Sequence, residues 1–199
     1  MTLSFKNPPV KKMAASIMLG ALLLATPATA ADYVIDSKGM HASVNFRIKH
    51  LGYSWLTGRF DKFTGTYSFD EANPAASKIS VEIDTASVNS NHAARDKHLR
   101  SGDFLDVSKF PTAKFVSTSM EVTDKSAIVH GKLTLHGVTK DITIKSDYVG
   151  GGKDPWGGFR TGFSGSTKIA LADFGIKFNL GPASKEVELQ LEIEGVRNK

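Results

Sequence analysis

The stretch Val187-Glu-Leu-Gln-Leu-Glu-Ile-Glu194 alternates apolar and polar side chains without a break. Successive side chains of a β-strand point to opposite faces of the sheet, so this period of two predicts a strand with one buried face. The buried face carries Leu189 and Leu191, whereas the other face carries carboxylates and one amide. The stretch therefore indicates a β-fold whose sheet covers an apolar interior.

The same period of two recurs along the chain from residue 33 onward. It gives about eight strands joined by short turns, with no alternation of strands and helices, which favours a closed antiparallel β-barrel or a sandwich. In each predicted strand, every second residue forms a row that faces inward. These inward rows contain a set of large apolar residues: Val44, Phe46, Ile48, Phe63, Tyr67, Phe69, Ile79, Val81, Leu133, Ile144, Phe159, Phe163, Leu189 and Leu191.

Three segments interrupt the regular pattern. Phe60 is one residue out of phase with the row that begins at Phe63, which predicts a bulge or bend near residues 61–62. The facing of residues 113–122 cannot be assigned from the pattern. Residues 150–158 are rich in glycine and are predicted to form a hairpin loop, with Trp156 covering a barrel mouth.

The inward rows combine large aromatics with small residues: Ala42, Gly65, Gly131 and Gly165. A closed eight-stranded barrel is just wide enough to be filled by side chains or to hold one small ligand. Small inward residues leave room for a ligand in one interpretation. In the other, the glycines accommodate the curvature of the barrel and the interior is solid.

Residues 91–106 form the part of the chain after residue 30 that reads clearly as a helix. Asn91 is a good N-cap and Gly102 a good stop, which predicts about ten helical residues that close one end of the barrel. One face of this helix mixes charged, polar and apolar side chains: His92, Arg95, Asp96 and Leu99.

Two interpretations of the charged helix residues remain open. The guanidinium groups of Arg95 and Arg100 could bind the diphosphate or carbonyl end of a lipid. Alternatively, Asp96 pairs with an arginine and holds the helix against the barrel rim. The candidate mouth or head-group contacts are His50, Trp55, His92, Arg95, Asp96, Arg100 and Trp156.

Residues 1–30 have the three parts of a secretory signal. Three lysines precede an apolar run at residues 13–25, which is too short to span a bilayer, and Ala28-Thr29-Ala30 supplies a small-x-small cleavage pattern. Cleavage between Ala30 and Ala31 is expected, which leaves residues 31–199 as one domain. The sequence thus predicts an exported protein, periplasmic or secreted, that does not span the membrane.

Charge and cysteine content exclude several functions. Without the three lysines of the signal, 22 Lys and Arg oppose 20 Asp and Glu, a net charge of only +2. There is no basic run with interleaved aromatics, so no nucleic-acid partner is expected. The chain contains no cysteine, which excludes disulfides and thiolate metal sites.

No catalytic motif is evident. The chain lacks a complete G-x-S-x-G, and the glycines after residue 149 do not open a helix, so they lack the geometry of a phosphate-binding loop. His92 and His98 would lie about 240° apart on a helix, which argues against chelation. We therefore predict no catalytic residue, no metal and no cofactor.

Several motifs together resemble the YceI-like family of exported bacterial proteins, from residue 31 nearly to residue 199. They are Val44-Asn45-Phe46-Arg47-Ile48 running into His50-Leu51-Gly52-Tyr53-Ser54-Trp55-Leu56, Asn91-His92-Ala93, Arg95-Asp96-Lys97-His98-Leu99-Arg100-Ser101 with Asp103-Phe104-Leu105, Leu133-Thr134-Leu135, Gly137-Val138-Thr139-Lys140, Asp154-Pro155-Trp156-Gly157-Gly158 and Leu180-Gly181-Pro182-Ala183-Ser184.

The resemblance implies an extended, lipocalin-like, eight-stranded antiparallel β-barrel with one helical element. It also implies a long apolar ligand such as a polyisoprenoid, an isoprenoid quinone or a fatty amide, a periplasmic location, often a homodimer, and no established enzymatic activity. Two alternatives stay open. One is an enzyme acting on a small amphiphile with Asp96, His50 or His92 as acid or base. The other is a filled barrel that serves a membrane cytochrome or quinone enzyme as a partner protein.

Overall fold

The computed structural model describes residues 30–39 and 41–198. The predicted export signal therefore lies outside the described residues, apart from Ala30. Eleven strands and one α-helix, α1 (Ala93–Leu99), make up the regular structure. The strands are β1 (Ala31–Ile35), β2 (Ser43–His50), β3 (Ser54–Phe60), β4 (Phe63–Phe69), β5 (Lys78–Asp84), β6 (Val88–Asn89), β7 (Thr112–Thr123), β8 (Ser126–Leu135), β9 (Val138–Lys153), β10 (Phe159–Ala170) and β11 (Glu186–Arg197).

The sheet closes into an antiparallel barrel. Eight strands follow one another in the order β1-β4-β5-β7-β8-β9-β10-β11, and β11 pairs back with β1. The first half of β11 pairs with β2, which continues through β3 to β6. The predicted eight-stranded barrel with one short helix is confirmed. Within the described residues, no helix combines the length and the apolar character that crossing a membrane requires.

Irregular positions in the strands explain the irregular positions in the sequence pattern. β3 ends at Phe60 and β4 begins at Phe63, so the predicted bend near residues 61–62 is confirmed, and it separates two strands that do not pair with each other. In β7 the register against β8 shifts between Ser117 and Ser119. One extra residue in a strand reverses the facing of all later side chains. For this reason the odd-numbered Phe115 before the shift and the even-numbered Met120 after it both face the interior.

The predicted loop at residues 150–158 is wrong in extent. β9 continues to Lys153, and its last residues pair with β10, so the turn covers only residues 154–158. The Asp154 carboxylate organises this turn by accepting hydrogen bonds from the backbone N–H groups of Trp156 at 3.0 Å and Gly158 at 2.7 Å. Glycine lowers the propensity to form a strand but does not prevent pairing. Here β9 and β10 stay hydrogen-bonded on both sides of a register shift between Gly162 and Phe163.

Two of the interior glycines are covered by aromatic rings. The Phe115 ring occupies the space that a side chain at Gly131 would need, and the Tyr67 ring does the same at Gly195. The expectation that an inward glycine leaves room for a ligand is therefore wrong at Gly131. There the glycine provides space for a neighbouring ring, as the alternative of a side-chain-filled interior requires.

The buried hydroxyl of Tyr67 ties opposite parts of the barrel together. It bonds with the Thr161 hydroxyl at 2.6 Å and donates to the Thr161 carbonyl at 3.1 Å, while its ring stacks on Tyr33 at 4.9 Å. Thr161 is 1% exposed. Burial raises the pKa of the Tyr67 phenol well above its usual range, so the group stays protonated and can donate.

Tyr67→Phe is expected to lower the free energy of unfolding by about 1–3 kcal/mol, because the Thr161 hydroxyl loses its buried partner. Urea denaturation at neutral pH measures the change. Tyr53→Phe is the matched control, since Tyr53 is 86% exposed and should unfold like the unsubstituted protein. Equal stability of the two variants would contradict a role for the buried hydroxyl.

Candidate ligand-binding site

A cavity of about 560 Å³ opens at one end of the barrel, here called the upper end. The β2–β3 turn, α1 and the segment at residues 171–185 surround it. Its wall is predominantly apolar: Val44, Phe46, Ile48, Leu51, Leu56, Phe60, Ile83, Val88, Leu99, Phe104, Leu105, Ala113, Leu133, Leu135, Ile169, Leu171, Ile176, Leu180, Val187 and Leu189.

A second apolar cavity, of about 390 Å³, occupies the lower end of the barrel. Four residues line both cavities: Val44, Ile83, Leu133 and Leu189. They come from β2, β5, β8 and β11, so they lie on strands distributed around the barrel. We call these four residues the waist. The two cavities share these side chains as wall, and the interior has an apolar lining at both ends and at the waist.

Most of the predicted inward residues line this interior. Twelve of the fourteen line one or both cavities: Val44, Phe46, Ile48, Tyr67, Phe69, Ile79, Val81, Leu133, Ile144, Phe163, Leu189 and Leu191. Their role as ligand contacts stays a prediction. The placement of Phe63 and Phe159 as lining residues is wrong. Each stands at the first position of its strand, and each packs into the core cluster around Tyr33 instead.

Several wall residues come from a segment that carries no periodic signal. Leu171, Ile176 and Leu180 lie in an irregular stretch between β10 and β11, and Phe174 anchors that stretch with 1% exposure. Neither a period of two nor a helical period identifies these positions in the sequence. Their apolar character alone was the available signal.

The polar groups of the upper cavity are cationic or neutral. Lys49 and Arg95 line it together with His50, His98, Asn179 and Ser184, and among the described residues no Asp or Glu does. The structure therefore places two of the predicted mouth residues, His50 and Arg95, at the upper cavity. His98 is held by Asp103 at 2.8 Å and by the edges of two phenylalanine rings.

The two tryptophans do not line the cavities. Trp55 is 47% exposed on the outer surface beside the upper mouth, where the Arg47 guanidinium lies 4.5 Å from its ring centre. Trp156 is 76% exposed in the β9–β10 turn and packs near Arg160. The prediction that Trp156 covers a mouth is wrong, because the extended β9 carries this turn away from both cavities.

Helix α1 is shorter than predicted and begins one residue later. His92 is the N-cap, and its Nδ1 accepts a hydrogen bond from the Arg95 N–H at 3.2 Å. Asn91 instead adopts a left-handed conformation, with φ of 61°. The helix ends at Leu99, and Arg100, not Gly102, is the C-cap. The chain reverses after the helix, so that the Leu105 N–H donates to the Leu99 carbonyl. His92 is thus a capping residue and not a cavity residue.

Asp96 and the two arginines bind the segment that precedes the helix. The Asp96 carboxylate accepts hydrogen bonds from the Ser90 N–H at 2.8 Å and the Ser90 hydroxyl at 2.5 Å. Arg95 donates to the same hydroxyl and to the Ser90 carbonyl, and Arg100 donates to the Val88 carbonyl. Asp96 and Arg100 therefore attach α1 to the segment that precedes it, and neither lines the cavity as a head-group contact. The expected direct pairing of Asp96 with an arginine is not formed among the described residues, because the Ser90 hydroxyl lies between Asp96 and Arg95.

The pKa of Asp96 reflects this attachment. Burial tends to raise it, but the hydrogen bonds from Ser90, supported by the charges of Arg100 and Arg95, outweigh burial and lower it. The lowered pKa means that the ionised carboxylate stabilises the folded state above the pKa of an unfolded aspartate, about 3.9. This stabilisation is lost as the pH falls through the lower, folded-state value.

Asp96→Ala is expected to cost about 1.5–3 kcal/mol of unfolding free energy at pH 7, because two buried donors of Ser90 lose a charged acceptor. The difference from the unsubstituted protein should shrink as the pH falls below about 4, where the carboxylate becomes protonated. Urea melts at a series of pH values measure both effects. Asp141→Ala removes only an exposed surface pair with Lys132 and serves as control. A pH-independent difference would contradict this assignment.

One group of side chains in the described ranges has spacing suited to a metal ion: Asp36, His41 and Glu194. Arg160 already donates to Asp36 at 2.6 Å and to Glu194 at 2.7 Å. Hydrogen bonds with His41 and Arg160 lower the pKa of Asp36 to about 2. A guanidinium between the two carboxylates explains the cluster as an ion-pair network on the barrel wall.

The acid–base residues considered for catalysis do not converge. Of His50, His92 and Asp96, only His50 lines the cavity, whereas the other two are engaged in capping and in holding Ser90. The Asp96 carboxylate bonds to Ser90 and not to His50. At this cavity the Ser184 hydroxyl donates to the Lys49 carbonyl, and among the described residues no hydroxyl there is hydrogen-bonded to an imidazole.

Comparison with known proteins agrees with the barrel. The family profile of the YceI-like domain matches residues 33–195. A UPF0312 protein of Pseudomonas aeruginosa is 60% identical over 189 residues, which cover 94% of this chain and 99% of the relative. The crystal structure of a Campylobacter jejuni YCEI protein is 32% identical and superposes with a TM-score of 0.69, covering 76% of this chain and 91% of that one.

A more distant structure shares the fold. It is a polyisoprenoid binding domain from Saccharophagus degradans, 18% identical, with a TM-score of 0.63. The similarity covers 83% of this chain and 98% of that domain.

Proposed function

The chain belongs to the family of YceI-like domains, and we propose that it binds the long apolar chain of a lipid, such as a polyisoprenoid or an isoprenoid quinone, inside its barrel. One observation carries the proposal: two apolar cavities at opposite ends of the barrel share the four waist residues as wall. An elongated apolar molecule suits such an interior better than a compact polar one does. The polyisoprenoid binding domain from Saccharophagus degradans, which shares this fold, supports the same ligand class.

The energetics of transfer favour such a ligand. Each methylene group removed from water contributes about 0.8 kcal/mol, so a chain of many carbons gains substantially from the apolar wall. The upper cavity alone, at about 560 Å³, has the size of a typical small-molecule site. Its polar lining residues include Lys49, His50 and Arg95, which can face a head group while the apolar chain lies along the rest of the wall.

The cellular role follows from the predicted export signal. We propose that the protein works in the periplasm and holds its lipid there for transport or storage, because a free isoprenoid chain is insoluble in water. The homodimer that the family resemblance implies stays a prediction.

Binding of radiolabelled solanesol, a prenol of nine isoprene units, tests the proposal on delipidated protein. We expect saturable binding that Leu56→Glu weakens by about tenfold or more, because the substitution puts a charge on the cavity wall. Thr57→Glu is the matched control, since the neighbouring side chain on β3 is exposed. Absence of saturable binding of solanesol and of an isoprenoid quinone by the folded protein would refute the proposal.

A further inference from the structure

Exposed apolar side chains concentrate around the upper mouth. Leu51 and Tyr53 of the β2–β3 turn are 56% and 86% exposed, Trp55 at the start of β3 is 47% exposed, and Phe178 is 43% exposed. These four, here called the rim, are half of the eight large hydrophobic residues that are exposed among the described residues. The other four lie on separate strands or in the β9–β10 turn. Scattered exposed apolar residues need no explanation, but a cluster at a cavity mouth does.

The rim is continuous with the cavity wall. Leu51 itself lines the upper cavity, as do Leu180 and Gly181 next to it. Phe178 packs against Phe104, another wall residue, with ring centres 5.0 Å apart. An apolar chain leaving the cavity would therefore pass directly over the rim.

The charges around the rim are suited to an anionic surface. Lys49 and Arg95 line the mouth, Lys49 also lies 5.6 Å from the Trp55 ring centre, and Lys177 adjoins Phe178. Two carboxylates in this region are already paired, Asp103 with His98 and Glu188 with Arg47.

We propose that the rim docks on a lipid bilayer that contains anionic lipids. Tryptophan and tyrosine prefer the level of the head groups, leucine and phenylalanine can enter the apolar boundary, and lysine is attracted by anionic lipid. An amphipathic ring of this kind around the entrance of an apolar cavity fits a bilayer better than a shaped protein partner. The inference concerns the outer surface and does not depend on which ligand the barrel holds.

The two tryptophans of the chain allow a direct test. In Trp156→Phe the remaining indole is Trp55 at the rim, and in Trp55→Phe it is Trp156 in the β9–β10 turn. Vesicles of phosphatidylcholine with phosphatidylglycerol are added to protein purified as the cell produces it. The Trp55 emission should shift to shorter wavelength, while the Trp156 emission should not move. Equal shifts of both, or no shift of Trp55, would overturn the proposal.

Co-sedimentation with the same vesicles tests the rim by substitution. The double variant Leu51→Asn and Tyr53→Ser should bind about tenfold more weakly or worse. Asparagine is chosen at residue 51 because Leu51 has a positive φ of 51°, which asparagine tolerates. Val149→Ser removes a 71% exposed apolar residue elsewhere and should bind normally.

Salt and lipid composition give the remaining readouts. Binding should weaken when the ionic strength rises or when phosphatidylglycerol is omitted, because the lysines act through screened charge. If the protein self-associates through the rim and does not bind vesicles, the proposal is contradicted, and the rim is instead an interface with a second copy of the chain. Vesicle binding is measured without added ligand. A negative result therefore contradicts docking on the bilayer but does not affect the ligand-binding proposal, which solanesol binding tests separately.

Discussion

Leu189→Phe is expected to weaken binding of solanesol by about tenfold or more while leaving the affinity for farnesol, a prenol of three units, nearly unchanged. Leu189 belongs to the waist and is only partly buried because it faces both cavities. A larger ring at this position would project toward the boundary of the two cavities and obstruct a chain that crosses it. The short prenol fits in the upper cavity alone, whereas the long one must cross the waist.

A variant of the upper cavity separates this effect from a general loss of space. Leu105 lines the upper cavity but not the lower one, so Leu105→Phe should weaken binding of both prenols to a similar extent. Equilibrium binding of the two labelled prenols to each variant provides the comparison. If Leu189→Phe weakens farnesol and solanesol equally, the ligand chain does not cross the waist, although it could still bind in the upper cavity.

Phe174→Ala is expected to lower the free energy of unfolding by about 3–5 kcal/mol. Phe174 is 1% exposed and belongs to the core cluster with Phe104 and Leu135, so its removal leaves a large void. Its carbonyl also accepts a hydrogen bond when His136 Nδ1 carries the proton, with the two atoms 3.1 Å apart. The residue thereby fixes the irregular segment that forms part of the upper mouth.

Urea denaturation measures this loss, and Phe178→Ala provides the control in the same segment. Phe178 is 43% exposed, so truncation there should cost much less. The account of the segment would be contradicted if both variants lost the same stability. Because the void lies close to the upper cavity, we also expect weaker prenol binding by Phe174→Ala at temperatures where it remains folded.

The strand rows were predictable because burial on one face imposes a period of two. This holds for β11, where Leu189 and Leu191 face the interior as expected. It fails locally where a register shift occurs, as in β7, since the pattern then contains both parities. At the first positions of strands the period correctly places Phe63 and Phe159 inward, but it cannot tell that they pack in the core and line no cavity.

The architecture of the mouth was less predictable, because side chains and not periodicity determine it. Asn91 is a favourable N-cap by residue type, yet His92 caps the helix. The charges of Asp96 and Arg100 suggested a ligand site, but the burial of Ser90 decides their role, and Ser90 carries no distinctive sequence signal. The segment at residues 171–185 has no period at all.

The most direct test of the central claim is the identification of what the barrel holds. Protein purified in its folded state without detergent is extracted with organic solvent, and the extract is analysed by mass spectrometry beside that of Leu56→Glu. The account predicts a lipid with a long apolar chain, a polyisoprenoid or an isoprenoid quinone, that is depleted in the variant. Folded protein that yields no such lipid, and that also fails to bind added solanesol or quinone, would contradict it.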